Sequence, residues 1–410
     1  MKIKTVLFSL CGLLWGTAAY AGGYQLNDYS VTGLGRSFAG AGVVGDDYSA
    51  LAYNPAGMHL KKSGMQVGVS LIQLKSDVEN IGTNTPGEVP GTIRLYQPLP
   101  HLFAQYKLND KWDVGFGIYT PFGLSTRYKR DWFGRYQAVE SKLEIVDFAP
   151  AVSYRVSDEW TLGVTLIARY IRGKMTNYVR GTDGFSTFDL DGWTKTASFG
   201  VMYEPVKDTR FGVSYRMRSK QTVKGNHKVK DLPGPMAFIN GTYNGEASPD
   251  LPDTVLISAF HKVNKFGFSG SARWTHWTVF EDFVMESDSP LLAASGGEFH
   301  SYYNWRNSWT LTAGVDYYYN DKWTFRVGGG WDESPSHDNE TRTARIPDND
   351  RIWASCGFSY RSGKWTTDVG YAHMFMKTTR VNHTDQFGTS VNAKYDSQSN
   401  MLGVQLQYEF

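Results

Sequence analysis

Short segments in which apolar and polar side chains strictly alternate recur along this chain, and several begin with an aromatic residue. After Trp160, the positions Leu162, Val164, Leu166, Ala168 and Tyr170 are apolar, with Thr161, Gly163, Thr165 and Arg169 between them. The same two-residue period runs through Trp112, Val114, Phe116 and Ile118, and through Trp323, Phe325 and Val327 with Thr324, Arg326 and Gly328 opposite. At the C-terminus Leu402, Val404, Leu406, Tyr408 and Phe410 alternate with Gly403, Gln405, Gln407 and Glu409. A period of two puts successive side chains on opposite faces of a strand. One face is therefore apolar and the other polar, as in a soluble sandwich or in a wall between lipid and a polar lumen. Aromatic residues at so many strand starts favour the wall, because a membrane interface collects them.

The connections give a strand number. Asn109-Asp110-Lys111, Ser157-Asp158-Glu159, Val206 to Thr209, Asn264-Lys265, Asn320-Asp321-Lys322 and Ser362-Gly363-Lys364 are short and polar, and read as six tight turns. Each turn joins two strands, and one more strand at either end closes a barrel of fourteen. Between them lie seven longer segments rich in Gly, Pro, Asn and charge, such as Gln221 to Asp250 and Val381 to Asn400. Short turns on one side and long loops on the other are the asymmetry of an outer-membrane barrel. A terminal Phe closing an alternating strand also suits insertion by the bacterial outer-membrane assembly machinery.

The N-terminus predicts export. Lys2 and Lys4 precede an apolar run from Val6 to Leu14, and Ala19-Tyr20-Ala21 supplies a small-residue cleavage site, so the expected signal peptide is residues 1–21 and the mature chain begins at Gly22. Cys11 leaves with the signal; a single mature cysteine, Cys356, makes no intramolecular disulfide. Of 42 Lys+Arg and 40 Asp+Glu, losing Lys2 and Lys4 leaves 40 against 40, and a neutral chain implies no nucleic-acid partner. The mature sequence has no apolar run of the roughly 20 residues a spanning helix needs. A closed barrel is the remaining way to satisfy the backbone in lipid. The fold class expected is thus all-β, a fourteen-stranded antiparallel transmembrane barrel (61–410) behind a glycine-rich plug, or hatch (22–60). No metal, cofactor or catalytic role is expected: His261, His276 and His373 are present, but no serine stands at a spacing that singles it out.

The residues resemble a known family. The segment GGYQLNDYSVTGLGRSFAGAG, Gly22 to Gly42, is similar to the opening of the N-terminal hatch of the FadL/TodX outer-membrane transporters of hydrophobic compounds, and Asn54-Pro55-Ala56 resembles that family's NPA motif. YYYNDKWTFRVGGGWDESP, Tyr317 to Pro335, and IPDNDRIW, Ile346 to Trp353, resemble its C-terminal strands. The resemblance spans essentially the whole mature chain. It implies a barrel plugged by the hatch and passive transport, most readily of long-chain fatty acids. Substrate is captured outside, moves to an inner pocket, and leaves through a lateral opening into the membrane, bypassing the lipopolysaccharide leaflet.

Candidate residues follow. Glycines 33, 35, 40, 42, 45 and 57 let the hatch adopt backbone angles other residues avoid, and Pro55 makes a rigid corner that pushes Asn54 out of the helical region, so Asn54, Pro55 and Ala56 form a candidate switch. The other reading is that the hatch only fills the lumen. A carboxylate would need a cation inside an apolar pocket. On an expected strand from Tyr303 to Tyr319, Trp305, Trp309, Leu311 and Val315 form the apolar face and turn Arg306 inward. Arg306 also matches a basic pocket residue of the fatty-acid members; the second pocket arginine falls at Asn177, a departure, with Arg180 three residues later. The alternative for a lumen arginine is a salt bridge to the hatch at Asp46 or Asp47. The family's capture groove maps to two loops, Met175 to Gly192 and Gln221 to Leu251. Phe185, Phe188 and Leu190 in the first, with Leu232, Met236, Phe238 and Ile239 in the second, are apolar residues in solvated loops, where binding or mutual packing would account for them. Pro121-Phe122-Gly123 is a motif seen more in the branch that carries neutral aromatic hydrocarbons. A diffusion porin for hydrophilic solutes, and a phage- or host-binding surface, remain as rival readings.

Overall fold

The computed structural model describes Gly23–Phe410; the expected signal peptide and Gly22 lie outside the described residues. The barrel strands are, in order, Gly64–Asn80, Gly91–Lys107, Trp112–Tyr119 (continued by Gly123–Arg127), Glu140–Arg155, Trp160–Tyr178, Phe185–Val206, Thr209–Arg216, Thr254–Val263, Phe266–Thr275, Ser308–Tyr318, Trp323–Asp332, Arg351–Ser362, Trp365–Met376 and Ser390–Glu409. Neighbours pair antiparallel, and the first strand pairs with the last from Gly64↔Glu409 to Asn80↔Ala393, which closes fourteen strands into a barrel without a free edge.

The alternation resolves as a wall. Leu166 is 61% exposed on the outside, whereas Thr161, Thr165 and Arg169 are buried toward the lumen. The six tight turns fall where the sequence places them, with left-handed backbone at Asp208 (φ 66°), Asn264 (φ 52°) and Gly363 (φ 60°). Beside them, cross-strand aromatic pairs face outward: Trp112–Tyr154 at 4.5 Å, Trp160–Tyr203 at 4.4 Å, Trp323–Tyr360 at 4.7 Å and Trp365–Tyr408 at 4.6 Å. They form one of the interfacial girdles such barrels carry. At the other end the strands run beyond the roughly 9–11 residues needed to cross. The expected loop from Met175 to Gly192 is in fact mostly strand, with Tyr178 paired to Phe185 and only residues 179–184 turning. Its alternating Ser186, Phe188 and Leu190 continue the inward face of the wall, so hydrogen bonding extends through a segment whose polarity suggested a loop. Val223–Lys230, Gly241–Ala247, Asp282–Ser287 and Glu298–Tyr302 add further rungs above it.

Residues 23–60 lie inside the lumen. They contain a helix at Val31–Gly35, whose Ser30 accepts a bond from Gly33 N–H (2.7 Å), a second at Ala50–Tyr53, and a 3-10 turn at Pro55–Leu60. Asn54-Pro55-Ala56 rests on a glycine floor supplied by three adjacent strands. A Cβ at Gly163 would lie 2.3 Å from the Ala56 nitrogen, and one at Gly200 would lie 2.0 Å from Asn54 Oδ1. Side chains there would forbid the seat. Ionic contacts hold the other end: Arg36 donates to Asp46 at 2.7 and 2.8 Å, and Arg326 of the wall donates to the same carboxylate at 3.0 Å. Burial pushes the Asp46 carboxyl up, but the two guanidiniums outweigh it and hold the group well below the usual carboxylate range.

Candidate functional site: a lumen pocket beside a break in the wall

Above the hatch, the inward positions of the fourth to sixth strands are apolar: Leu143 and Ile145, Ile171, Gly173 and Met175, Phe188 and Leu190. With Tyr24, Leu124, Phe280, Phe283, Met285, Tyr303 and Ile346 they enclose a void of about 700 Å³, counting its open mouth. Its inner end is closed by an ionic cluster in which Asp147 faces both Arg169 and, at 3.9 Å, Arg216. Arg169 donates to both Asp147 oxygens, at 2.7 and 2.9 Å, and to Ser219 Oγ at 2.8 Å. Its outer end carries Arg345, only 5% exposed, whose Nη1 donates to Ser141 Oγ (3.0 Å) and Nη2 to Asn177 Oδ1 (3.2 Å). Burial pushes the Arg345 pKa down, with Tyr303 and Asp385 opposing.

Beside this pocket the third strand is broken. It pairs with the second strand only from Leu102↔Ile118 to Lys107↔Asp113; beyond Thr120-Pro121-Phe122 its continuation pairs with the fourth strand alone among the described pairings. The second strand carries Pro98 and Pro100 alongside, residues with no N–H to leave unpaired, as at a sheet edge. The break bends inward to the hatch instead: Leu26 N–H donates to Pro121 O and Gly123 N–H to Tyr24 O, both at 2.9 Å, and Gln25 bridges Phe122. The gap in the wall is lined by Gln97 to Pro100, Thr120, Gly123 and Leu143 to Val146. Leu143 and Ile145 border both pocket and gap, so one layer of side chains separates them.

The residues singled out in the sequence are distributed unevenly about this site. Asn177 faces it through Arg345. Arg306 does not: it is 52% exposed, paired with Glu333 at 3.2 Å, and outside the strand, which begins at Ser308. The backbone turns left-handed at Asn304 (φ 47°), so the alternation of Ser308 to Tyr318 does not extend back, and Tyr303 and Trp305 point inward instead. The salt bridge foreseen between a lumen arginine and Asp46 is made by Arg326. Arg180 is also outside the lumen, donating to Phe387 O at 2.5 Å in an exposed loop contact. Phe188 and Leu190 line the pocket, while Phe185 packs on Tyr178 (5.0 Å) under Arg130 (5.3 Å). Leu232, Met236 and Ile239 pack on one another with Val179, Tyr243 and Leu291; Phe238 is 76% exposed at the tip of that loop. Asn54 donates from Nδ2 to Val201 O (3.0 Å) and accepts from Ala56 N–H (3.1 Å), anchoring the Asn54-Pro55-Ala56 corner to the wall. Nothing in the sequence marks Arg345, because a loop residue carries no periodicity to reveal its direction.

Comparison with known proteins agrees with this architecture. Residues 12–410 match the family model described as outer membrane protein transport protein (OMPP1/FadL/TodX). A long-chain fatty acid transport protein of Escherichia coli is 25% identical over 97% of this chain and 96% of its own length; outer membrane protein P1 of Haemophilus influenzae is 25% identical over 100% of both. Among solved structures, a Pseudomonas aeruginosa FadL homologue superposes with a TM-score of 0.86 (23% identity, 95% of this chain, 100% of that one). The Pseudomonas putida toluene transporter TodX does so at 0.69 (15% identity, 95% and 100%), both showing a shared fold. The chain belongs to the OMPP1/FadL/TodX family, outer-membrane β-barrels that transport hydrophobic compounds.

Proposed function

We propose that this protein carries long-chain fatty acids passively into the outer membrane, by way of the lumen pocket and the gap beside the third strand. The observation that carries the reading is the shared layer at Leu143 and Ile145. An apolar chain in the pocket is one side-chain thickness from the lipid, and the segment Tyr24 to Leu26 is the only hatch backbone among the described residues bonded across the break. Releasing those few bonds joins pocket to gap. The driving force is partition: each methylene moved from water to hydrocarbon gains about 0.8 kcal/mol, so no energy-coupling element is needed. The fatty-acid transport proteins among its relatives support the substrate class.

The protein acts without catalysis in this reading. One buried hydroxyl–imidazole contact among the described residues is Ser186 Oγ against His227 Nε2 at 2.9 Å, with Ser287 Oγ on Nδ1 at 2.9 Å. Burial pushes that imidazole down to about 4, and its partners are neutral hydroxyls, which makes it a poor base at neutral pH.

The reading is tested with cells that lack their own fatty-acid uptake. Supplied with this protein, they should take up labelled oleate. Leu143→Trp, which thickens the layer between pocket and gap, should abolish uptake while the unheated protein still migrates as a folded barrel. Undiminished uptake by the folded variant would refute the lateral route, and uptake of toluene without oleate would move the substrate to neutral hydrocarbons.

A further inference from the structure

The outer face of the first, second and last strands carries two pairs of cations set directly against each other. Outward positions of the first strand rise from the apolar Val67, Val69 and Leu71 to Gln73, Lys75, Asp77 and Glu79; those of the last rise from Val404 and Leu402 to Asn400, Gln398, Asp396 and Lys394. Lys75 lies opposite Arg94 of the second strand, and Lys394 opposite Arg380 of the added strand Thr379–Thr384. Like charges in register oppose pairing. Asp77 holds Lys75 at 3.0 Å, and Asp396 (2.8 Å) and Glu79 (3.5 Å) hold Lys394, but no Asp or Glu oxygen lies within 4.0 Å of the Arg94 or Arg380 guanidinium among the described residues. Arg380 and Lys394 join Asn382, Asn392, Asn339 and Ile81 around an outward-facing groove of about 740 Å³, counting its open mouth. Its amides and cations offer partners to hydroxyls and anions. Heights follow from the girdle residue Tyr408. For strands tilted about 40° and rising about 3.3 Å per residue, the Lys75–Arg94 pair stands about 25 Å above it, at the edge of an apolar band about 25 Å tall, and the Lys394–Arg380 pair about 10 Å higher.

We propose that this face binds lipopolysaccharide: Lys75 and Arg94 take a phosphate of its lipid A headgroup at the membrane boundary, and Arg380 and Lys394 take a phosphate of its core, whose sugars lie in the groove against Asn382 and Asn392. Two cationic tiers about 10 Å apart, stacked over an apolar wall, call for a ligand with acyl chains below and anionic groups at two heights. A glycerophospholipid has its phosphate at one height only, and a soluble anion makes no use of the wall. Arg94 shares its outward face with Tyr96 and Pro98, and Pro98 lines the wall gap. The bound lipopolysaccharide therefore borders the gap on its second-strand side and orders the leaflet there. The site stands apart from the pocket and the hatch, and does not depend on what the barrel carries.

The experiment measures binding to purified full-length protein in detergent by native mass spectrometry, with four probes: rough lipopolysaccharide bearing a phosphorylated core, the same material dephosphorylated, phosphatidylglycerol and inorganic phosphate. The parent should bind the phosphorylated lipopolysaccharide in preference to the other three. Arg94→Ser combined with Arg380→Ser should weaken it about tenfold or more, the range of lost charge-assisted hydrogen bonds, while Arg94→Lys with Arg380→Lys retains most of the affinity. Lys195→Ser with Lys220→Ser removes two exposed cations elsewhere on the chain and should change nothing. If the double serine variant lacks the folded, heat-modifiable band, the two single serine variants carry the test, each with a partial loss. Unchanged lipopolysaccharide affinity in the folded variants, or an equal loss in the Lys195 and Lys220 control, overturns the site. Equal affinity for phosphatidylglycerol overturns the two-tier ligand, and equal affinity for inorganic phosphate reassigns the cations to a free anion.

Discussion

Gly163→Ala places a methyl group under the hatch corner, and the structure sets the size of the disturbance. The new carbon would sit 2.3 Å from the Ala56 nitrogen and 2.4 Å from the Pro55 carbonyl carbon, both backbone atoms that cannot rotate aside. Ordinary contact begins at 3.4 Å, so the corner must rise by about 1.1 Å. Overpacking of this kind costs about 1–3 kcal/mol. The lift also strains the 3.0 Å bond from Asn54 Nδ2 to Val201 O, a further loss of about 1 kcal/mol. The seated hatch is then destabilised by about 2–4 kcal/mol, which raises the population of displaced hatch about 30- to 1,000-fold. Gly173→Ala is the control, because a Cβ there meets nothing within 4 Å. In planar bilayers the parent and Gly173→Ala should stay closed, while Gly163→Ala should show frequent conducting openings with unchanged barrel mobility on unheated gels. A Gly163→Ala protein as silent as the parent would refute the idea that the Asn54-Pro55-Ala56 seat controls the hatch.

Two further outcomes follow from buried and exposed charge. Asp28 lies buried in the hatch, and burial raises its carboxyl from 3.8 to about 7. A raised acid stabilises the seated state fully below pH 3.8 and loses that contribution as pH climbs through 7, an effect of at most about 4 kcal/mol. Hatch opening, read as bilayer conductance, should therefore increase from pH 5 to pH 8 in the parent and stay flat in Asp28→Asn; a parallel pH response in both would refute it. Arg306→Ala removes an exposed pair worth about 0–1 kcal/mol of stability and no group of the pocket, so oleate affinity should stay at the parent's value, and a large loss in titration would contradict the placement of Arg306 outside the pocket.

The barrel was legible because its determinants are local. A two-residue period names the inward face, an Asn-Asp-Lys turn names a hairpin, and both survive in the structure wherever backbone pairing is unbroken, as from Trp160 to Tyr178. The site was less legible because it forms where pairing breaks. A single left-handed residue, Asn304, resets the parity that pointed Arg306 inward. The break at Pro121 is visible as a proline, but its inward bend depends on Tyr24 and Leu26, roughly 95 residues earlier in the chain. Arg345 sits in a loop, where direction is fixed by Ser141 and Asn177 across the lumen rather than by its neighbours in sequence. The capture-groove residues failed to stay together for the same reason: Phe188 and Leu190 followed the strand into the pocket, while Leu232 and Ile239 closed on their own loop.

The lateral route is tested most directly by clamping the hatch to the broken strand. Gln25 and Phe122 already face each other as an antiparallel bridge, a geometry within reach of a disulfide. With Cys356 replaced by Ser, Gln25→Cys and Phe122→Cys are introduced together, and oleate uptake is measured in cells before and after reduction. Uptake should be blocked in the oxidised protein and restored by dithiothreitol, with both forms equally folded. Oxidised protein that carries oleate at the parental rate would contradict exit between pocket and wall gap.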